Sequence, residues 1–242
     1  MRAGHATGGQ ATDVYDALAP HYREIAQRRE AYLAAVDRYV LEHAGPAGSV
    51  LDVGAGDGVR GMALARALGA QRVVLAEPSR EMAARCRQLA PQAVWETTAE
   101  SLPASDPFDV ILCLWNVLGH LADRSRRVAA LQSMARLLAP GGALFVDVNN
   151  RHNTAAYGRL RVLGRRLLDF VAPDVRRGDA VYSWQVGGAS LPAMGHLFTP
   201  AEVEGMLAES ALRVRRRLAV DYATGKYSVS PFEGQLLYQL GH

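Results

Sequence analysis

The stretch Val50-Leu51-Asp52-Val53-Gly54-Ala55-Gly56-Asp57-Gly58 decides the fold. A short apolar run ends in an aspartate and then in alternating glycines. A buried strand therefore breaks into a loop where backbone can approach a ligand with no Cβ in the way. The helical segment Val59 to Leu68 follows and aims its unpaired N–H groups at that ligand. Strand, loop and helix together make a nucleoside-type site.

Polarity separates two ligands for this loop. Gly56-x-Gly58-x-x-Gly61 also satisfies the dinucleotide pattern, and Glu77, at the end of the next strand-like run, could hold a ribose in either case. A pyrophosphate wants uncrowded N–H groups. Asp52 and Asp57 would repel it and suit a cationic ligand such as S-adenosylmethionine, with its sulfonium and ammonium. Tyr222-x-x-x-Lys226 has the spacing of a dehydrogenase pair on one helix face. Thr224 and Gly225 lie between the two, after the alternating run Val214 to Val220, so strand and turn fit better than helix.

Outward from the loop, strand-like runs follow at Val50–Val53, Arg72–Ala76, Ala93–Glu96, Val110–Leu114 and Ala143–Val148, most of them separated by helical stretches. That alternation predicts a Rossmann-like α/β fold: a seven-stranded, mostly parallel sheet with helices on both faces, completed by Arg213–Val220 and Gln235–Leu240. Ligands of such sheets bind beyond the carboxyl ends of the strands, where Gly54, Glu77 and Asn116 fall. Apolar positions at helical intervals from Thr12 to His43 end at Gly45-Pro46. The expected organisation is an N-terminal helical cap over 1–45 and a cofactor-binding core over 46–150. A lid or substrate insertion over 151–198 and a C-terminal completion of the sheet over 199–242 follow.

With 242 residues and 49% apolar content, the chain can bury a full core as one domain with an insertion. Cys86 and Cys113 match no metal spacing, so no metal is expected, and the compartment reads as reducing, with the cytoplasm as default. The first dozen residues carry no apolar targeting segment, and no run is long enough to cross a bilayer. No membrane partner is therefore expected. The net charge of +3 comes almost wholly from arginine, in clusters without interleaved lysines or aromatics. This argues against DNA and RNA as partners and leaves a small molecule, with a homodimer compatible.

These motifs resemble a class I S-adenosylmethionine-dependent methyltransferase. Ile111-Leu112-Cys113-Leu114-Trp115-Asn116-Val117-Leu118-Gly119-His120-Leu121 is similar to a segment of glycine and sarcosine N-methyltransferases. The resemblance implies that Gly54, Gly56 and Gly58 pack under the methionine part and ribose, that Asp52 orders the loop, and that Glu77 takes both ribose hydroxyls, with Pro78 opening the next helix. It places Glu100 and Ser101 at adenine, the Leu114 backbone at the methionine moiety, and Asn116 and His120 facing the transferring methyl group. Tyr22 joins the cofactor-binding residues, and Arg28 and Arg29 resemble an arginine-then-tyrosine pattern whose arginine grips the cofactor carboxylate, with Arg28 favoured by its spacing to Tyr32. Two departures stand out. Trp115 replaces the family's glycine, and the arginine that holds a substrate carboxylate there is Asn149 here, with Arg151 the nearest guanidinium.

Methyl transfer asks little covalent chemistry of a protein, because sulfonium is already an excellent leaving group. The expected function is transfer of a methyl group to nitrogen or oxygen of a small molecule by in-line displacement. The same fold and cofactor could instead serve cyclisation of the donor side chain, RNA methylation, or a role in which the cofactor is structural.

Overall fold

A computed structural model describes residues 9–186 and 189–242. The amino-terminal positions read above for targeting signals lie, through residue 8, outside the described residues. The chain opens with helices α1 (Gly9–Leu18), α2 (Tyr22–Gln27) and α3 (Glu30–Ala44). The single helical pattern expected over 12–43 is thus broken twice. Pro20 opens a short 3-10 turn, and Arg29 leaves helical geometry at φ −122°.

The sheet begins with β1 (Ser49–Val53), followed by α4 (Val59–Ala67), β2 (Arg72–Ala76), α5 (Arg80–Gln88), β3 (Ala93–Trp95), β4 (Phe108–Cys113), α6 (Arg124–Leu137) and β5 (Leu138–Val148). The insertion then holds α7 (Thr154–Tyr157), α8 (Arg159–Val171) and a hairpin of β6 (Asp179–Val186) and β7 (Ala189–His196). Helix α9 (Pro200–Ala208), β8 (Arg213–Val220), β9 (Tyr227–Ser228) and β10 (Gln235–Gly241) finish the chain.

The sheet order is β3-β2-β1-β4-β5-β10-β8-β9, with β3 through β5 parallel and β10 running antiparallel between β5 and β8. The Rossmann-like class stands as read, but the sheet has eight strands where seven were expected. The extra strand is the two-residue β9, which pairs Ala219–Val220 after the Asp221 turn and is too short to show a period of two.

Alternate residues of the central strands feed two cores. Leu51, Val53, Ile111, Cys113, Leu144 and Val146 pack with α6 and α9 on one face. Val50, Leu112, Val110, Ala143 and Phe145 pack with α3 and α4 on the other. Both faces of β1 are covered, which is why its sequence reads as a continuous apolar run. The exception is Asp52, on the α4 side, buried and pushed up to about 7 by that burial. Its carboxylate fills the space beside Gly61, where a Cβ would overlap it.

Candidate active site

Every strand that builds the site ends at the same edge of the sheet. After β1 the loop turns through Gly54, Gly56 and Gly58 at φ +72°, +58° and +76°, values that any side chain would strain. A Cβ on Gly56 would lie 2.5 Å from the Tyr22 hydroxyl, so α2 closes directly over the loop. After β2, the buried Glu77 accepts from Gly56 N (2.8 Å) with one oxygen and from Ser79 N (2.9 Å) with the other. Burial outweighs these bonds and raises its carboxyl to about 7. Each oxygen keeps a lone pair for a further donor.

After β4 the chain turns through two consecutive non-glycine residues in the left-handed region, Trp115 (φ +67°) and Asn116 (φ +64°). Such conformations cost of order 1–3 kcal/mol each and persist where surroundings over-determine them. Here the buried Asp147 at the end of β5 supplies that determination. It accepts from Asn116 N (2.9 Å) and from the Tyr32 hydroxyl (2.5 Å), joining α3, β4 and β5. The Asn116 side chain in turn accepts from Asn149 N at 2.8 Å.

A cavity of about 640 Å³ opens at this edge, within the usual range for cofactor and small-molecule sites. Gly54, Gly56, Glu77, Pro78 and Glu100 line one end. Asn116, His120, Tyr182, Trp184 and Tyr222 line the other. A second cavity of about 360 Å³ shares Tyr22, Gly54, Leu114 and Trp115 with it and adds Asp52, Asp57, Arg23 and Arg60.

Of the residues singled out in the sequence, Tyr22, Arg28, Gly54, Gly56, Glu77, Pro78, Glu100, Leu114, Asn116 and His120 therefore come together around the first cavity. Asp52 lines the second. Gly58 and Ser101 line neither. Gly58 is the residue before α4, pressed against Leu75 and Cys86, and Ser101 is exposed on a 3-10 turn. Arg28 pairs with Glu24 at 2.5 Å and reaches the Gln185 carbonyl at 3.4 Å, so it spans from α2 to the hairpin. Its neighbour Arg29 lies 4.5 Å from the Tyr222 ring centroid, and the Tyr222 hydroxyl accepts from Trp115 Nε1 at 2.9 Å. Arg151 turns away and pairs with Asp169 at 3.0 Å, leaving Asn149 in the cavity wall. Tyr222 and Lys226 flank a turn capped by Asp221, as read from Thr224 and Gly225.

His120 is enclosed by both coverings of the site. Its Nε2 lies 2.9 Å from the Tyr15 hydroxyl on α1, and a second hydrogen bond joins it to the Met194 backbone on β7. Burial lowers it to about 4, so the ring is neutral at pH 7. Next to Tyr15, Asp16 accepts from Ser79 Oγ (2.5 Å) and Glu81 N (3.1 Å), which places α1 over the start of α5. Sequence reasoning missed Tyr15, Asp16, Tyr182 and Trp184. Only the Tyr/Trp content of the insertion hinted at the last two.

The residues fit S-adenosylmethionine by their chemistry. Glu77 offers paired acceptors to a vicinal diol, and Asp52 and Asp57 give the adjoining cavity an acidic wall, where Asp57 pairs with Arg23 at 3.1 Å. Comparisons with known proteins agree. A methyltransferase-domain family model matches residues 50–142. Ubiquinone biosynthesis O-methyltransferase of Xanthomonas oryzae pv. oryzae (strain PXO99A) is 32% identical over 196 residues, covering 75% of this chain and 76% of that protein. Glycine N-methyltransferase of Rattus norvegicus is 38% identical over 63 residues, 24% of this chain and 22% of the relative.

Among solved structures, an S-adenosylmethionine-dependent methyltransferase from Clostridium acetobutylicum ATCC 824 superposes with a TM-score of 0.67 at 14% identity, covering 93% of this chain and 98% of the other. A DhpI–SAM–HEP complex superposes at 0.69 with 20% identity over 100% of both chains. These two likenesses bear on the fold.

The chain belongs to the S-adenosylmethionine-dependent methyltransferases. It is an enzyme of that class, and S-adenosylmethionine is its cofactor. Among the described residues no helix is long and apolar enough to cross a membrane, and no cluster of side chains could hold a metal.

Proposed function

We propose that this enzyme methylates a nitrogen or oxygen atom of a small molecule that bears an apolar ring, held between the Asn116 turn and the hairpin. The observation that carries this reading is the composition of the acceptor end of the cavity. Tyr15, Trp115, Tyr182, Trp184 and Tyr222 gather there, and the Trp184 Nε1 is buried with no hydrogen-bond partner among the described residues. Aromatic walls with a few placed polar groups suit a planar acceptor. The O-methyltransferase relative supports the oxygen case.

In this reading the bound cofactor supplies an electrophilic methyl group on a good leaving group. Glu77 holds the ribose, Glu100 borders the adenine, and Arg28 or Arg29 meets the carboxylate beyond Leu114 and Gly54. Asn116 faces the acceptor with its amide. His120 acts through Tyr15 as a positioning residue, because its neutral ring is already bonded on two sides. The cap over 1–45 and the insertion over 151–198 close on the core of 46–150, completed by 199–242, and exclude water.

Calorimetric titration with S-adenosylmethionine, S-adenosylhomocysteine and NADH, followed by mass analysis of candidate acceptors, tests this. Binding of the two adenosyl ligands and an acceptor heavier by one methylene unit are expected. Binding of NADH alone, or a donor cyclised with no acceptor modified, would overturn it.

A further inference from the structure

Helix α8 turns its polar side to the protein and its apolar side to solvent. Val162 is its buried residue. Polar contacts join it to the body: Asp169 pairs with Arg151 at 3.0 Å and His152 at 2.9 Å, and Arg165 donates to the Arg151 carbonyl at 3.1 Å. Arg166 lies 4.0 Å from the Phe232 ring centroid. On the other side Leu160, Leu163, Leu167, Phe170 and Val171 recur at helical spacing and are 87%, 61%, 64%, 86% and 70% exposed. Isolated exposed leucines are ordinary, but a contiguous stripe marks a contact surface.

Charge decides what covers it. Arg159 and Arg161 are exposed on the flanks of the stripe, and the one acid of the helix, Asp169, faces the body. Two copies meeting through this stripe would set arginine against arginine with no carboxylate between them. A negatively charged bilayer surface satisfies both parts, taking the apolar side chains at the acyl boundary and the guanidinium groups at the phosphates. At 13 residues the helix is too short to span the roughly 20-residue hydrocarbon core, so it would lie in the interface plane. The expectation of no membrane partner rested on the lack of a spanning run, which leaves a surface-lying helix untouched.

We infer that α8 docks this methyltransferase on an anionic phospholipid bilayer. The helix begins just after Tyr157, which lines the cavity and lies under Arg165 at 4.3 Å, so docking brings the cavity rim to the lipid surface. An apolar acceptor dissolved in lipid would then have a short path to the site.

Flotation of the full chain with phosphatidylcholine vesicles, with and without phosphatidylglycerol, tests the inference. Co-flotation is expected with the anionic vesicles, weakened roughly tenfold or more in Arg159→Glu/Arg161→Glu and lost in Leu163→Ser/Leu167→Ser. All four positions are exposed, so both variants should fold and bind S-adenosylmethionine like the parent, which titration checks independently of lipid. No binding to either vesicle, or binding indifferent to the substitutions, would overturn the inference. So would a dimer in light scattering that the leucine variant dissociates.

Discussion

The glycine loop after β1 and the insertion after β5 face each other across one cavity and are built on opposite terms. The loop is all backbone: left-handed glycines, Glu77 bonded to two amides, and close packing against Leu75 and Cys86. The insertion adds a set of side-chain ties to its backbone ladder and to the backbone bonds at Phe198. His196 lies 2.7 Å from Asp179 and 2.9 Å from Glu202, Asp169 gathers Arg151 and His152, and α8 shows its leucines to solvent. The family model ends at residue 142, before the insertion starts. A donor shared by a whole class can be met by fixed backbone, whereas an acceptor that differs between enzymes is met by side chains on a separable element.

The sharpest way to break this comparison is Gly58→Val. Its Cβ would lie 2.8 Å from Leu75 Cδ1 and 2.9 Å from Cys86 Sγ at φ +76°. We expect a loss of about 3 kcal/mol in chemical denaturation, with cofactor binding abolished. A near-neutral result would mean that the loop is not fixed by its backbone.

Next in size is Glu77→Ala, expected to weaken S-adenosylmethionine binding by about 1.5–3 kcal/mol in calorimetry. The parent carries a pH signature as well. With Glu77 raised to about 7 from its ordinary 4.5, its ionisation works against the empty fold, so its contribution to stability is present below about 4.5 and lost as pH rises through about 7. Donor affinity runs the other way, because the ribose is best held by the ionised carboxylate. It should climb as pH rises through about 7, and Glu77→Gln should flatten that slope.

Smaller effects belong to the insertion and its anchor. The Thr199 side chain accepts from Glu202 N at 3.1 Å at the start of α9, so Thr199→Ala should cost about 1 kcal/mol. Leu167→Ser on the exposed face of α8 should stay within about 0.5 kcal/mol of the parent. A large loss there would show that the stripe is packed, and the contrast between the two regions would narrow.

What the sequence revealed follows the same division. The loop, its helix and the order of central strands were legible because glycine spacing, buried apolar runs and the acid after β2 are local signals. Asp147 and Tyr32 are 115 residues apart, and nothing local announces their bond. The apolar face of α8 was not read from the sequence, and helical spacing alone does not say which face meets the protein. The break after Leu18 was written in Ala19-Pro20, yet the apolar spacing ran through it. Ser101 matched a position at adenine, but its 3-10 turn leaves the side chain exposed.

Tyr15 and Asp16 are consecutive, and each fastens α1 to a different end of the chamber: one at His120, the other at Ser79. The same helix therefore borders the cavity at both places. One short helix is thus a rivet with two shanks: a change that frees α1 would unfasten the histidine side and the Ser79 side of the chamber together.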